Sequence, residues 1–419
     1  MALALSFPAA AAAQYEVKIE PGTRNLLLQF ALSPDDGHPI KLVTRGAAWG
    51  LQPQVEDVKC GQVALHRDSD GDWIAPPGCS RVSWRVTPDS YDDRGIDPSK
   101  QRTLAIGRTP WFLLAEATSL LRPLESSEQS SIGTPGSERL LGATSVGLGR
   151  FLVPPASKAP EFYVLGAVAT GERAVGEFHV VYVADVPDRV RRLGLDRLHG
   201  EALSYLSSVV PLPTPTSDSS RKLLVIWLGV ARGRGTVGGA AGHRSFVANY
   251  LVGPPPDKKR NAAMTLAIVA HEQFHQLVDI ARGRLAPLPV WLSESLAQYY
   301  GLKALLRTGD SKYVRAVRRD FINPSRNVTA GLVELNRRYE AGDRAGYDRF
   351  YTQGATLWNA IDSAIVAATS GRQSLDDYVK DILLSPIPKN GTLPAVFVER
   401  LRSVAGSEID RIIAKYVGR

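Results

Sequence analysis

Hydrophobic and polar positions alternate with a period of two through the first part of the chain and with a period near 3.6 through the last. Between Tyr15 and about Pro187, short alternating runs such as Asn25–Leu32, Val82–Val86 and Phe178–Ala184 are separated by Pro, Gly, Asp and Ser. Successive side chains of a strand point to opposite faces, so this pattern predicts an antiparallel β domain of sandwich type. Within it, the Ser/Gly-rich stretch Glu125–Ser137 is expected to be a mobile loop.

After Arg189 a helix-like stretch leads to a Pro/Ser/Thr linker, Pro211–Ser220, and then to the continuous apolar strand Leu223–Val230. From Asp257 onward the helical period dominates, and no solenoid or propeller repeat is present. The expected fold class is therefore multidomain α+β, with a β domain over 14–189, an α/β segment over 190–309 and a helical region over 310–419.

Composition and charge narrow the function. The 419 residues are 44% hydrophobic and 22% charged, an ordinary globular balance. The longest strongly apolar stretch is Leu223–Ala231, too short to cross a bilayer, so no integral membrane span is expected. Of the net charge of +8, much sits between Lys303 and Arg349, where eleven basic residues face six acidic ones. Arg alternates there with Asp and Glu and no recognition motif accompanies it, so a solvated, ion-paired face is expected and nucleic acid is not a partner.

Residues 2–13, ALALSFPAAAAA, are apolar and small, and Ala11-Ala12-Ala13 offers an A-x-A cleavage site before Gln14. Residues 1–13 therefore read as the remnant of a signal peptide, and the protein as exported, periplasmic or secreted and bacterial; the charged segment that usually opens such a peptide is missing, which leaves a plain Ala-rich terminus as the alternative. An oxidising compartment would permit a disulfide between the only cysteines, Cys60 and Cys79, although their spacing leaves a free thiol pair equally open.

The chemistry is concentrated at residues 271–275, His-Glu-Gln-Phe-His. On a helix, positions i and i+4 share a face, so His271 and His275 can direct ring nitrogens at one cation while Glu272 lies beside that line as a general base toward water. Asp257, after three prolines, is a plausible N-cap. Leu266, Val269, Ala270, Phe274, Leu277 and Val278 form the apolar stripe, and Gly283 is the stop. A catalytic zinc takes three protein ligands. Glu294, eighteen residues beyond His275, would return as the third ligand if Pro287 and Pro289 break the chain and Trp291–Leu306 forms a second helix ending near Gly309.

This spacing, with Glu294 inside Trp-Leu-Ser-Glu-Ser-Leu-Ala-Gln-Tyr-Tyr, resembles the zinc signature of the gluzincin metallopeptidases, in particular the glycyl-aminopeptidase-like and membrane-alanyl-aminopeptidase-like branches. Their W-L-x-E-G-x-A-x-Y pattern is matched except at Ser295. Downstream, Tyr351-Thr352-Gln353-Gly354-Ala355 resembles their Y-x-K-G-A segment, with Gln353 in place of Lys. The stretch through Ser374-Leu375-Asp376-Asp377 is also similar to the helical part of the glycyl-aminopeptidase branch, and the likeness covers roughly residues 190–390. It implies a thermolysin-like catalytic domain over 190–309, one zinc ion per chain, a peptide or protein substrate, and Tyr351 as donor to the oxyanion. The family's substrate strand would correspond to Gly238-Gly239-Ala240-Ala241-Gly242-His243, yet no Asp or Glu lies between Asp218 and Asp257 to grip a free amine. A strict aminopeptidase is not implied. Arg232, Arg234 and Arg244 would instead attract a carboxylate, and Gly238, Gly239, His243 and Arg244 are the candidate substrate contacts.

Other readings stay minor. Gly233–Gly238 satisfies a dinucleotide-binding pattern, but the glycines and prolines that follow leave no room for the required crossover helix. Asp68, Asp70 and Asp72 lack the spacing of a calcium loop and read as a turn. Gln298 is a candidate acceptor behind a ligand histidine, while Tyr299 and Tyr300 read as packing residues. The missing amine anchor, Ser295 and Gln353 define an alternative: an exported binding or scaffold protein on a degenerate peptidase fold.

Overall fold

The computed structural model describes residues 14–32, 38–91, 97–107, 110–124, 130–214, 221–231, 238–252, 258–283, 285–308 and 311–418. The signal-like segment, Asp257, Gly309, Arg232, Arg234, the 233–237 glycine run and most of the Pro211–Ser220 linker lie outside them. The chain is mixed α+β, with four sheets and eleven α-helices among the described residues. It forms two compact units. One runs to Thr170 and includes Lys222–Val225 and Gly242–Ser245; the other comprises Gly171–Arg221, Ile226–Ala241 and Phe246–Arg419. No described helix is long and apolar enough to cross a membrane.

The first unit is built from three sheets. The largest orders its strands as Ser145–Gly147, Arg150–Val153, Ser130–Gly133, Gln14–Ile19, Leu26–Ala31, Arg81–Val86, Val55–Cys60 and Val63–Ala64. Alternation works here as the sequence suggests. Tyr15 pairs with Phe30 and Leu28 with Trp84 across the ladder, and these inward residues are buried. The rings of Tyr15, Phe30 and Trp84 lie 5.2–6.4 Å apart, and the buried Trp84 Nε1 donates to Ser119 O at 2.9 Å.

Two expectations fail in this unit. It is not purely antiparallel, since Gln14–Ile19 runs parallel to Ser130–Gly133 and Leu104–Ile106 parallel to Asp89–Tyr91. Nor is Glu125–Ser137 a loop throughout: Ser130–Gly133 is a strand whose amides pair on both sides, because backbone hydrogen bonding overrides a Ser/Gly composition once two neighbours are available. Cys60 and Cys79 are joined in a disulfide with Cα atoms 5.8 Å apart. At the aspartate run, Asp68 accepts the amides of Asp70 and Asp72, and Lys41 ion-pairs with Asp68 at 2.7 Å and Asp70 at 3.1 Å. That is a charge-compensated turn.

The fourth sheet, most of whose residues belong to the second unit, has five strands in the order Thr170–Val175, Phe178–Ala184, Lys222–Ala231, Ser245–Val252, Gly239–Ala241. Phe178–Ala184, grouped with the amino-terminal strands by its alternation, belongs here instead. Alternation identifies a strand and says nothing of its partner. Eight consecutive residues of Lys222–Ala231 are buried, which is why it reads as a continuous apolar run.

Three long helices, Lys258–Arg282, Val290–Thr308 and Asp348–Ala368, carry the candidate site residues His271, Glu272, His275, Glu294 and Tyr351. The apolar stripe from Leu266 to Val278 is buried throughout. Val290–Thr308 approaches both neighbours at backbone distance. A Cβ on Gly301 would sit 2.8 Å from Ala267 O and 3.0 Å from His271 N, and one on Gly354 would sit 2.3 Å from Ser295 Cβ. Gly is about 1 kcal/mol worse than Ala inside a helix, so both glycines are tolerated for the closeness they permit. Ser295 and Gln353 have structural roles. Ser295 Oγ accepts the buried Trp358 indole N–H at 2.8 Å, and Gln353 Nε2 donates to Ala330 O and Tyr416 O, each at 3.0 Å. Tyr299 does more than pack: its hydroxyl donates to Asp362, which shares the buried Lys303 with Asp376.

Replacing Gly354 with Ala should therefore lower stability by about 1–3 kcal/mol despite the better helix propensity, because the added methyl overpacks the contact with Ser295. Thermal unfolding of Gly354→Ala, Ser295→Gly and the double variant checks this: Ser295→Gly has its own cost because it frees the Trp358 N–H, so the double variant should lose less than the sum of the two single losses, and a Gly354→Ala variant as stable as the parent would refute the close approach.

Candidate metal centre

The Lys258–Arg282 helix presents His271 and His275 one turn apart, and the first turn of Val290–Thr308 presents Glu294. That turn is set by its start: Pro289 O accepts the amides of Leu292 and Ser293, while Asn336 Oδ1 takes the Trp291 amide, one of the groups a helix leaves without an internal partner. The three donors converge. His271 Nε2 and His275 Nε2 lie 3.0 Å apart, and Glu294 Oε2 lies 3.2 Å from the first and 3.5 Å from the second.

These separations test the fit to a metal. Ligands about 2.05 Å from a tetrahedral zinc sit about 3.3 Å from one another, which is the size of this triangle. Two imidazoles and one carboxylate are also the donor set of a three-ligand catalytic site. Ser293 Oγ lies 3.2 Å from His275 Nδ1, so it can accept the N–H of the tautomer that leaves Nε2 free to ligate. His271 Nδ1 is buried with no partner among the described residues. The group fits.

Electrostatics separates the two carboxylates. Burial opposes ionisation of Glu294, but the adjacent His275 and His271 override it and hold this carboxyl well below the usual range. Glu272 is pushed the other way, mainly by burial, with His271 and His275 pulling it back. Divergent environments of this kind separate a permanently charged ligand from a base able to take a proton. His275 is raised because the attraction of Glu294 outweighs burial.

Glu272 faces the sheet. The Ala241 backbone amide donates to it, and a Cβ on Gly239 would lie 2.7 Å from Glu272 Cγ. Gly239–Ala241 is the last strand in the sheet order and pairs antiparallel with Ser245–Val252. Gly238 O accepts the Asn249 amide at 2.9 Å. His243 and Arg244 belong to the first unit, where their amides donate to Pro160 O at 3.1 Å and Glu161 Oε2 at 3.0 Å. Gln298 is buried but makes no hydrogen bond to either histidine; the hydroxyl of Ser293 occupies that position at His275.

Tyr351 stacks on His271, ring centroids 5.6 Å apart and 29° between planes. Its hydroxyl donates to Tyr347 Oη at 3.0 Å, and Tyr347 Oη donates in turn to Glu294 Oε1 at 3.3 Å. Burial first, then the negative charge of Glu294, raises both phenols, so both keep their protons. Sequence reading missed Tyr347. Its i, i+4 spacing to Tyr351 was the available signal, but nothing in the sequence brings it to Glu294.

With this geometry in hand, the fold matches a solved structure described as an aminopeptidase N family protein from Idiomarina loihiensis, at TM-score 0.62 and 12% identity over 97% of this chain and 74% of that one. The fold is peptidase-like. No family model matches the chain, and no curated protein matches it by sequence.

A second buried histidine lies behind the helix that carries His271 and His275. His199 is fully buried on Leu195–Val209; its Nδ1 lies 2.8 Å from Tyr182 Oη and its Nε2 3.0 Å from Gln273 Oε1, so the middle of the His-Glu-Gln-Phe-His run is pinned from behind. Burial pushes the ring down to about 4. A histidine bound neutral in the fold but titrating near 6.5 when unfolded takes up more protons in the unfolded state between those values, so its contribution falls as pH drops from about 6.5 to about 4 and is complete above that window. Removing this ionisation with His199→Gln should make stability less pH-dependent there, by up to about 3 kcal/mol at roughly 1.4 kcal/mol per pKa unit. Denaturant unfolding of the metal-free protein at pH 4–7 checks it, and parallel curves for variant and parent would exclude the effect.

Proposed function

We propose that this chain is a zinc-dependent metallopeptidase of the gluzincin type. The observation that carries the reading is the convergence of His271, His275 and Glu294 beside Glu272, on a peptidase-like fold. In this reading segment 190–309 supplies the ligands and the base, 310–419 supplies the two tyrosines, and one zinc is held per chain.

Bound there, zinc would supply Lewis acidity and make water nucleophilic near neutral pH. Glu272 accepts the proton of the attacking water and returns it to the departing amine, a role suited by its desolvated carboxyl. Tyr351, which retains its phenolic proton, donates to the oxyanion. A peptide pairs with the backbone of the Gly239–Ala241 edge strand, against which Glu272 lies. The lack of any acidic residue between Asp218 and Asp257 favours internal cleavage over strict removal of amino-terminal residues. The Cys60–Cys79 disulfide and the composition of residues 1–13 support an exported enzyme. Ser295 and Gln353 serve packing roles, so these departures do not favour a non-catalytic scaffold.

Two variants test the assignment. Glu272→Gln should keep one zinc per chain while peptide hydrolysis falls by about 10²–10⁴, whereas Glu294→Ala should lose stoichiometric zinc. Metal analysis and digestion of a peptide library with free and acetylated amino termini read both; parental turnover in the first variant or full zinc in the second would reject the roles.

A further inference from the structure

We infer that Tyr347 is a positioning residue for the metal centre: its hydroxyl holds the outer oxygen of Glu294 and so turns the inner oxygen toward the two histidines. This rests on the metallopeptidase reading, and adds to it a residue that no part of the His-Glu-x-x-His or Tyr351 motifs contains.

A carboxylate on a flexible side chain can present either oxygen, or both, to a cation. Here Oε2 faces His271 and His275 at 3.2 and 3.5 Å while Oε1 accepts from Tyr347 Oη at 3.3 Å, so the two oxygens have different partners. Tyr347 is itself held. Its ring stacks on Tyr339 at 5.3 Å and 25°, meets Phe350 edge-on at 5.6 Å, and accepts the Tyr351 hydroxyl at 3.0 Å. A hydroxyl fixed at one end by aromatic packing and donating at the other removes a rotation that Glu294 would otherwise have to lose on ligating. Tyr351 reaches Glu294 only through Tyr347, so its removal should leave the carboxylate in place.

The test measures Zn2+ affinity by chelator competition, independent of hydrolysis. Tyr347→Phe keeps the ring and its packing, and should weaken zinc binding about 10–100-fold, the usual cost of deleting a group that hydrogen-bonds a ligand; Tyr351→Phe should leave it within about twofold of the parent. Parental affinity in Tyr347→Phe overturns the inference. Equal weakening in both variants also overturns it, because the Tyr351 hydroxyl makes no contact with Glu294 and the loss would then not come from the bond to that carboxylate. Thermal unfolding of the metal-free proteins guards against a folding defect: Tyr347→Phe should keep a cooperative transition like that of Tyr351→Phe, and a zinc loss that accompanies unfolding of Tyr347→Phe alone refutes the positioning role. If the parent protein takes up no zinc, the metallopeptidase reading itself fails, an outcome distinct from these.

Discussion

Three helices packed so closely that one added methyl group would clash between them are the constraint on which the rest of the second unit depends. Val290–Thr308 touches the backbone of Lys258–Arg282 at Gly301 and that of Asp348–Ala368 at Gly354. A displacement of about 1 Å is enough to spoil a constellation of donors, and Glu294 is seven residues from one contact and adjacent to the other, at Ser295. The polar bonds around the interface have the same effect. Trp358 on Ser295, Lys303 between Asp362 and Asp376, and His199 on Gln273 each tie one helix to another element through buried groups that would be costly to leave unpaired.

The charge distribution follows from that packing. Two histidines and two carboxylates share a small, largely desolvated space, and burial alone would press both acids toward the neutral form. They diverge because only Glu294 faces both imidazoles within 3.5 Å, while Glu272 points to the sheet edge and accepts a backbone amide. Tyr347 and Tyr351 retain their protons beside the ionised Glu294, so they act as donors. An ordered chain of hydroxyls then runs from the ring stacked on His271 to the carboxylate beside it.

Much of this site is legible in the sequence because it lies on regular elements. The i, i+4 spacing of His271 and His275 is a property of any helix, and the prolines before Val290–Thr308 mark where the second helix begins. What was not legible is of one kind. Ser293 behind His275, Tyr347 on Glu294 and His199 on Gln273 are single polar contacts between residues 18, 53 and 74 positions apart. Periodicity carries no information about them. The departures at Ser295 and Gln353 likewise looked like losses in the motif and prove to be hydrogen-bonded packing groups.

The same division holds for the fold. Local pattern alone identified most strands and helices, though not the strand Ser130–Gly133, since side-chain direction repeats every two or every 3.6 residues wherever one face is buried. It determined the three candidate ligands and the base as well, because their spacing is written along two helices. Tertiary structure decided which sheet Phe178–Ala184 joins, that Ser130–Gly133 becomes a parallel partner of the first strand, that Cys60 and Cys79 pair, and which hydroxyls surround the ligands. Each of those depends on where distant segments meet, and a hydrogen bond or disulfide forms only between groups that packing has already brought within a few ångströms.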